Sequence, residues 1–140
     1  MIPRAPLLLG LAGLIPFLAC AVAALSGGTP LAAWEDVIAL RYGIVILAFM
    51  SGVLWGFATR AEGRRAAIGY GLSVLPALWA FFTTLGDVSQ GLAALIAGFA
   101  ALLLLDRHFW RQGLTPAWWM RLRVLLTSVV VVSLTLVLVL

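Results

Sequence analysis

Five apolar stretches, each close to the length of a membrane-crossing helix and separated by short polar turns, leave this chain few ways to fold. A bilayer core of about 30 Å takes about 20 residues of helix per crossing, so the 140 residues hold five crossings with short connections and little else. Backbone groups in hydrocarbon must be satisfied within the protein, which favours helices over open strands. Composition agrees: 64% of residues are hydrophobic, only 10% are charged, and the mean hydropathy is +1.16, values at which a soluble domain would precipitate. The prediction is an all-α, polytopic membrane helix bundle forming one domain over 1–140, with crossings at about 6–25, 37–58, 67–85, 88–105 and 119–139.

Charge distribution orients the bundle. The chain has nine basic side chains, all arginine. With a cytoplasmic N-terminus, Arg4, the turn carrying Arg60, Arg64 and Arg65, and the segment carrying Arg107, Arg111, Arg121 and Arg123 all fall inside. Glu35, Asp36 and Asp87 fall outside, and only Arg41 departs from the positive-inside pattern. The first apolar stretch reads as an uncleaved crossing rather than a signal peptide, because its apolar run is long and further spans follow. Arginine without lysine, together with richness in Ala, Leu and Gly, suggests a GC-rich bacterial genome, so the location expected is a bacterial membrane, with the basic turns against anionic headgroups on the cytoplasmic side. Trp110, Trp118 and Trp119 stand among the last arginines, where interfacial aromatic side chains are expected.

The second crossing looks like the centre of the bundle. At about 100° per residue, Ala48, Gly52 and Gly56 cluster on the side opposite Gly43. Small residues at such spacing let helix backbones approach in lipid, so Gly43, Ala48, Gly52 and Gly56 are predicted packing positions. Gly91, Ala94 and Gly98 suit close packing of the fourth crossing as well. Pro16 and Pro76 interrupt the first and third crossings, and kinks are predicted there because proline removes a backbone donor. The last crossing is rich in Val and Leu and lacks glycine, which reads as the most lipid-exposed of the five. Thr115-Pro116 resembles a helix start ahead of it.

Little in the chain can carry chemistry. Cys20 is the only cysteine, which excludes intramolecular disulfides and thiolate metal clusters. His108 is the only histidine, so bis-histidine haem and His-rich zinc sites are excluded too. Ser51, Ser73, Thr83 and Thr84 could supply hydrogen bonds between helices, and nothing in the sequence pairs any of them with a general base. No acidic or basic residue lies near the middle of a crossing, where a coupled carrier would need one. No catalytic residue, cofactor or metal site is predicted, and no nucleic-acid platform is visible. Arg41, about one turn inside the outer end of the second crossing, is expected to pair with Asp87.

Four stretches together resemble a family of small multi-spanning membrane proteins of unknown function, numbered 3429, with bacterial inner-membrane and animal mitochondrial members. They are Leu9-Gly10-Leu11-Ala12-Gly13-Leu14-Ile15-Pro16-Phe17, Tyr42-Gly43 through Ser51-Gly52 to Trp55-Gly56, Ser73-Val74-Leu75-Pro76, and Pro116-Ala117-Trp118 through Arg121-Leu122-Arg123. The resemblance implies a multi-spanning inner-membrane protein and brings no activity, cofactor or catalytic residue with it. The functional expectation is therefore a non-catalytic accessory or assembly partner of a larger membrane complex. The alternative is a small-solute or lipid carrier with its site near the proline-broken helices and Arg41.

Overall fold

The computed structural model describes residues 1–27 and 33–140, so part of the loop read at Ser26-Gly27-Gly28-Thr29-Pro30 lies outside the described residues. Among the described residues seven α-helices follow in order: α1 (Arg4–Gly13), α2 (Ile15–Ser26), α3 (Glu35–Ala58), α4 (Gly63–Ser73), α5 (Leu75–Thr83), α6 (Val88–Arg111) and α7 (Trp119–Val139). Pairing α1 with α2 and α4 with α5 gives five helical segments long and apolar enough to cross a membrane: Arg4–Ser26, Glu35–Ala58, Gly63–Thr83, Val88–Arg111 and Trp119–Val139. The expected all-α polytopic bundle is present.

Both divided crossings break in the same place relative to a proline. The helical run stops at Leu14 and at Val74, and α2 and α5 each restart with proline in their first two positions. A proline there needs no backbone donor, whereas inside a helix it leaves a carbonyl unpaired and crowds it. The intervening residues stay near helical angles, with φ −81° and ψ −16° at Leu14 and φ −83° and ψ −15° at Val74. The breaks are thus local.

The second crossing supplies a hydroxyl to each. The Tyr42 hydroxyl donates to the Gly13 carbonyl at 2.8 Å, and the Ala77 amide, just after Pro76, donates to Ser51 Oγ at 2.8 Å. In hydrocarbon those backbone groups have no water to turn to. α3 therefore joins the two broken crossings by hydrogen bonds as well as by packing. It touches all four other crossings, through α2, α4 and α5, α6, and α7.

Packing against α6 works by exchange. A Cβ on Gly43 would lie 2.6 Å from Leu95 Cδ1, and one on Gly91 would lie 2.8 Å from Leu40 Cδ1, so each helix offers a glycine to a leucine of the other. Gly98 receives Leu47 and the Trp79 ring in the same way, with a Cβ there 3.0 Å and 2.8 Å from their nearest atoms. Where lipid removes the hydrophobic drive, such close fits hold the bundle through dispersion.

The packing surface of α3 differs from the predicted one in three of four positions. Gly43 is buried, but Ala48, Gly52 and Gly56 are exposed, and nothing lies within 4 Å of a Cβ placed on Gly52 or Gly56. The bulky residues Leu47, Met50 and Leu54 face the interior instead. A knob needs smallness on only one side of the contact, and for Leu47 it is Gly98 of α6 that provides it.

The last crossing also departs from expectation. Of its most apolar stretch 44% is buried, the largest share among the five, against 28% for the first and third. Thr127, Val130, Ser133, Leu134 and Val137 form its inward seam. Its helix begins at Trp119 rather than at Pro116, whose carbonyl accepts the Trp119 amide at 3.1 Å in a turn. α6 continues to Arg111, so Asp106, Arg107, His108 and Trp110 are helical and not part of a loop.

Candidate functional site

The arginine-rich segments come together at one end of the bundle. Arg60 donates to the Leu114 carbonyl at 3.1 Å and Arg65 to the Gln112 carbonyl at 3.0 Å, which ties the α3–α4 turn to the α6–α7 link. Gly113, at φ +72°, makes the turn in that link. Arg64, Arg107, Arg111 and Arg121 are exposed at this end, and the Trp110 indole donates to the Ala117 carbonyl at 3.3 Å. Trp118 stacks at an angle on Trp119, with centroids 6.1 Å apart.

Two members of this basic and aromatic group turn inward. Asp106 lies on the buried face of α6, one step along the series Leu95, Phe99, Leu102, Asp106, Phe109, and is fully buried. Arg123, 5% exposed, reaches it from the second turn of α7, with Nε 2.9 Å from Asp106 Oδ2. The Trp119 indole donates to the other carboxylate oxygen, Oδ1, at 3.0 Å, while its ring packs edge-on against Phe57 of α3 at 5.0 Å. Arg123 Nη2 lies 3.4 Å from Thr127 Oγ1, one turn further along α7. α6 and α7 thus meet around one carboxylate, and α3 backs the Trp119 ring that donates to it. Among the described residues this is the one ion pair, and Arg41 and Asp87, both exposed, form none.

Beside this pair a lateral cleft of about 380 Å³ separates the first crossing from α3 and α7. Its origin is the division of labour within the first crossing. α2 packs on both α3 and α7, while α1 packs on α7, buries no residue of its own and leaves its other side open. Gly10 and Gly13 of α1, Ile46, Met50 and Val53 of α3, and Leu126 and Val130 of α7 line the walls, with Phe17 and Phe99 at the back. Arg123 and Thr127 are the polar lining, at the basic end. Arg123 Nη1 makes no hydrogen bond to any described residue.

No group of three or more His, Cys, Asp or Glu side chains able to hold a metal occurs among the described residues. His108 stacks against Phe109, with no described carboxylate or hydroxyl partner. Both oxygens of Asp106 are already occupied.

Residues 2–139 match a family model described as Protein of unknown function (DUF3429). The chain belongs to the DUF3429 family. Transmembrane protein 69 of Xenopus tropicalis is 34% identical over 138 residues, covering 94% of this chain and 53% of the frog protein. The chain spans about half the length of that relative. No solved structure matches. As a DUF3429 member with five membrane-length helices, the protein is a multi-pass membrane protein. The stretches that carry the family resemblance supply Gly13 and Tyr42, Ser51, and Trp119 and Arg123, which are the residues that connect the crossings.

Proposed function

We propose that this DUF3429 protein is a non-catalytic accessory subunit that docks laterally onto a larger complex of the bacterial inner membrane, with its N-terminus and basic end in the cytoplasm. The observation that carries this reading is the uncovered side of α3. Interior glycines such as Gly43, Gly69, Gly91 and Gly98 each sit against a neighbouring side chain, whereas Gly52 and Gly56 sit against nothing. Those two and Ala48 lie beside Phe49 and Trp55, which are 65% and 49% exposed. A surface of this kind lets a foreign helix approach closely while large flanking side chains set its position. The exposed arginines at the basic end add attraction to anionic headgroups, about 1 kcal/mol each.

Purification of the full chain in mild detergent, with identification of co-purifying membrane proteins, tests this. A stoichiometric companion that is lost from the Gly52→Leu, Gly56→Leu double variant supports the reading. Recovery of the chain alone, of further copies of itself, or of a companion indifferent to the double variant overturns it.

The carrier reading has the lateral cleft in its favour. Its apolar walls and neutralised charge suit a hydrocarbon chain better than a polar solute, and Arg41 does not line it.

A further inference from the structure

The lateral cleft combines three features that together describe a ligand. The first is shape. Its walls run from Pro6 to Phe17 on the first crossing and from Trp119 to Val130 on α7, about 16 Å along the axes at 1.5 Å per residue. It opens sideways between Leu9 and Phe49, 74% and 65% exposed, toward the surrounding hydrocarbon. A long, narrow, apolar groove facing lipid accepts a chain more readily than a compact solute.

The second feature is the placement of polarity. Arg123 and Thr127 line the cleft near the basic end of the bundle, roughly one to two turns along α7 from its start. That is the depth at which a lipid's linkage region, just inside its headgroup, would lie against the helix. The third is charge. Arg123 is already neutralised by Asp106 at 2.9 Å, yet its Nη1 has no described partner. A buried arginine in that state offers hydrogen bonds without a net charge to match. A free carboxylate would bring a second negative group beside Asp106, while a neutral carbonyl would not.

We infer that the cleft holds one acyl chain of a diacyl phospholipid from the leaflet at the basic end, with the ester carbonyl accepting a hydrogen bond from Arg123 Nη1. The chain covers apolar lining that the bundle itself leaves open, above all Leu9 and Phe49. This site borders the docking face on α3 around Gly52 and Gly56 and shares Phe49 with it, but its ligand is a lipid and not a helix, so the cross-linking and co-purification tests can fail separately.

The test uses the full chain reconstituted in phosphatidylcholine vesicles containing a trace of phosphatidylglycerol with a diazirine at the end of one acyl chain. Cross-links are expected to concentrate on 6–17, 46–53 and 122–130. Val53→Trp and Ile46→Trp, both half-buried cleft residues, should each lower that labelling about tenfold, while Leu104→Trp on the exposed side of α6 leaves it unchanged. Labelling spread evenly over all exposed faces, or persisting in the two cleft variants, overturns the site. Competition separates the carbonyl from the chain: an ester-linked lipid should displace the probe about fivefold better than its ether-linked analogue, a difference lost in the Asp106→Leu, Arg123→Met double variant. Equal competition by the two lipids in the wild type, or stronger displacement by a free fatty acid, overturns the role given to Arg123.

Discussion

Asp106 and Arg123 face each other across the α6–α7 interface, Oδ2 to Nε at 2.9 Å, with 0% and 6% of their side chains exposed. The pair is a means of alignment more than a source of net stability, since desolvating two charges offsets much of their attraction. With the Trp119 indole on the second oxygen, the carboxylate selects one register between α6 and α7. Any axial slip would leave a buried charge without its partner, and that penalty is what makes the arrangement specific.

Asp106→Leu should therefore destabilise the protein by about 3–5 kcal/mol, because it strands the guanidinium, while the Asp106→Leu, Arg123→Met double variant should recover most of the loss. Trp119→Phe removes one hydrogen bond and should cost about 1 kcal/mol. Equilibrium unfolding in mixed micelles of mild detergent and dodecyl sulfate measures all three. An Asp106→Leu protein unfolding at the wild-type midpoint would remove the pair from any structural role.

The number of crossings, their approximate positions and the clustering of the arginines were legible in the sequence, because apolar length and charge asymmetry are properties of single segments. Residue pairing was not. Arg41 stands out in the sequence as an arginine inside an apolar stretch, yet it is exposed, while Arg123 reads there as one of several interfacial arginines and Asp106 falls just past the expected end of the fourth crossing. A signal was available: Asp106 continues the spacing of Leu95, Phe99 and Leu102, and Arg123 lies on a seam running Trp119, Arg123, Thr127, Val130, Leu134. Two opposite charges, each in phase with a buried stripe, point to one another. The small-residue rule failed on α3 for a different reason. It locates surfaces capable of close approach, and which of them the chain itself covers depends on the partner helix.

Tyr42→Phe and Ser51→Ala each remove one bond between α3 and a broken crossing, and each should cost about 1 kcal/mol. The two positions are about 14 Å apart along α3 at 1.5 Å per residue, so the losses should add. Because Gly13 is left with an unpaired carbonyl and Ala77 with an unpaired amide, amide exchange should rise locally, near Pro16 in the first variant and near Pro76 in the second. Strong coupling between the two changes would mean that the breaks communicate through α3.

Interior and exterior glycines should respond oppositely to a methyl group. A Cβ on Gly98 meets the Trp79 ring at 2.8 Å, and that ring is held by its own bond to the Ala94 carbonyl. A Cβ on Gly69 meets the Ala58 Cβ at 3.0 Å and has no flexible side chain to push aside there. Gly98→Ala and Gly69→Ala should each destabilise by about 1–3 kcal/mol. Gly52→Ala, with open space around it, should leave the thermal midpoint of the isolated protein unchanged or slightly raised, through better helix propensity. A destabilised Gly52→Ala would show that the exposed face of α3 is covered within the chain.

Orientation can be read with two engineered cysteines in a Cys20→Ala background, since the native thiol is buried and its removal leaves no competing label. Arg64 and Asp87 are both exposed and stand at opposite ends of the third crossing. The arginine-bearing segments gather at the Arg64 end, which the positive-inside rule assigns to the cytoplasm. In intact cells with a permeabilised outer membrane, an impermeant maleimide should label Asp87→Cys and spare Arg64→Cys, and opening the inner membrane should expose both. The reverse pattern would invert the bundle and move the acyl-chain cleft to the outer leaflet. Labelling of both sites from one side would contradict a single helical passage between them, and with it the five-crossing topology.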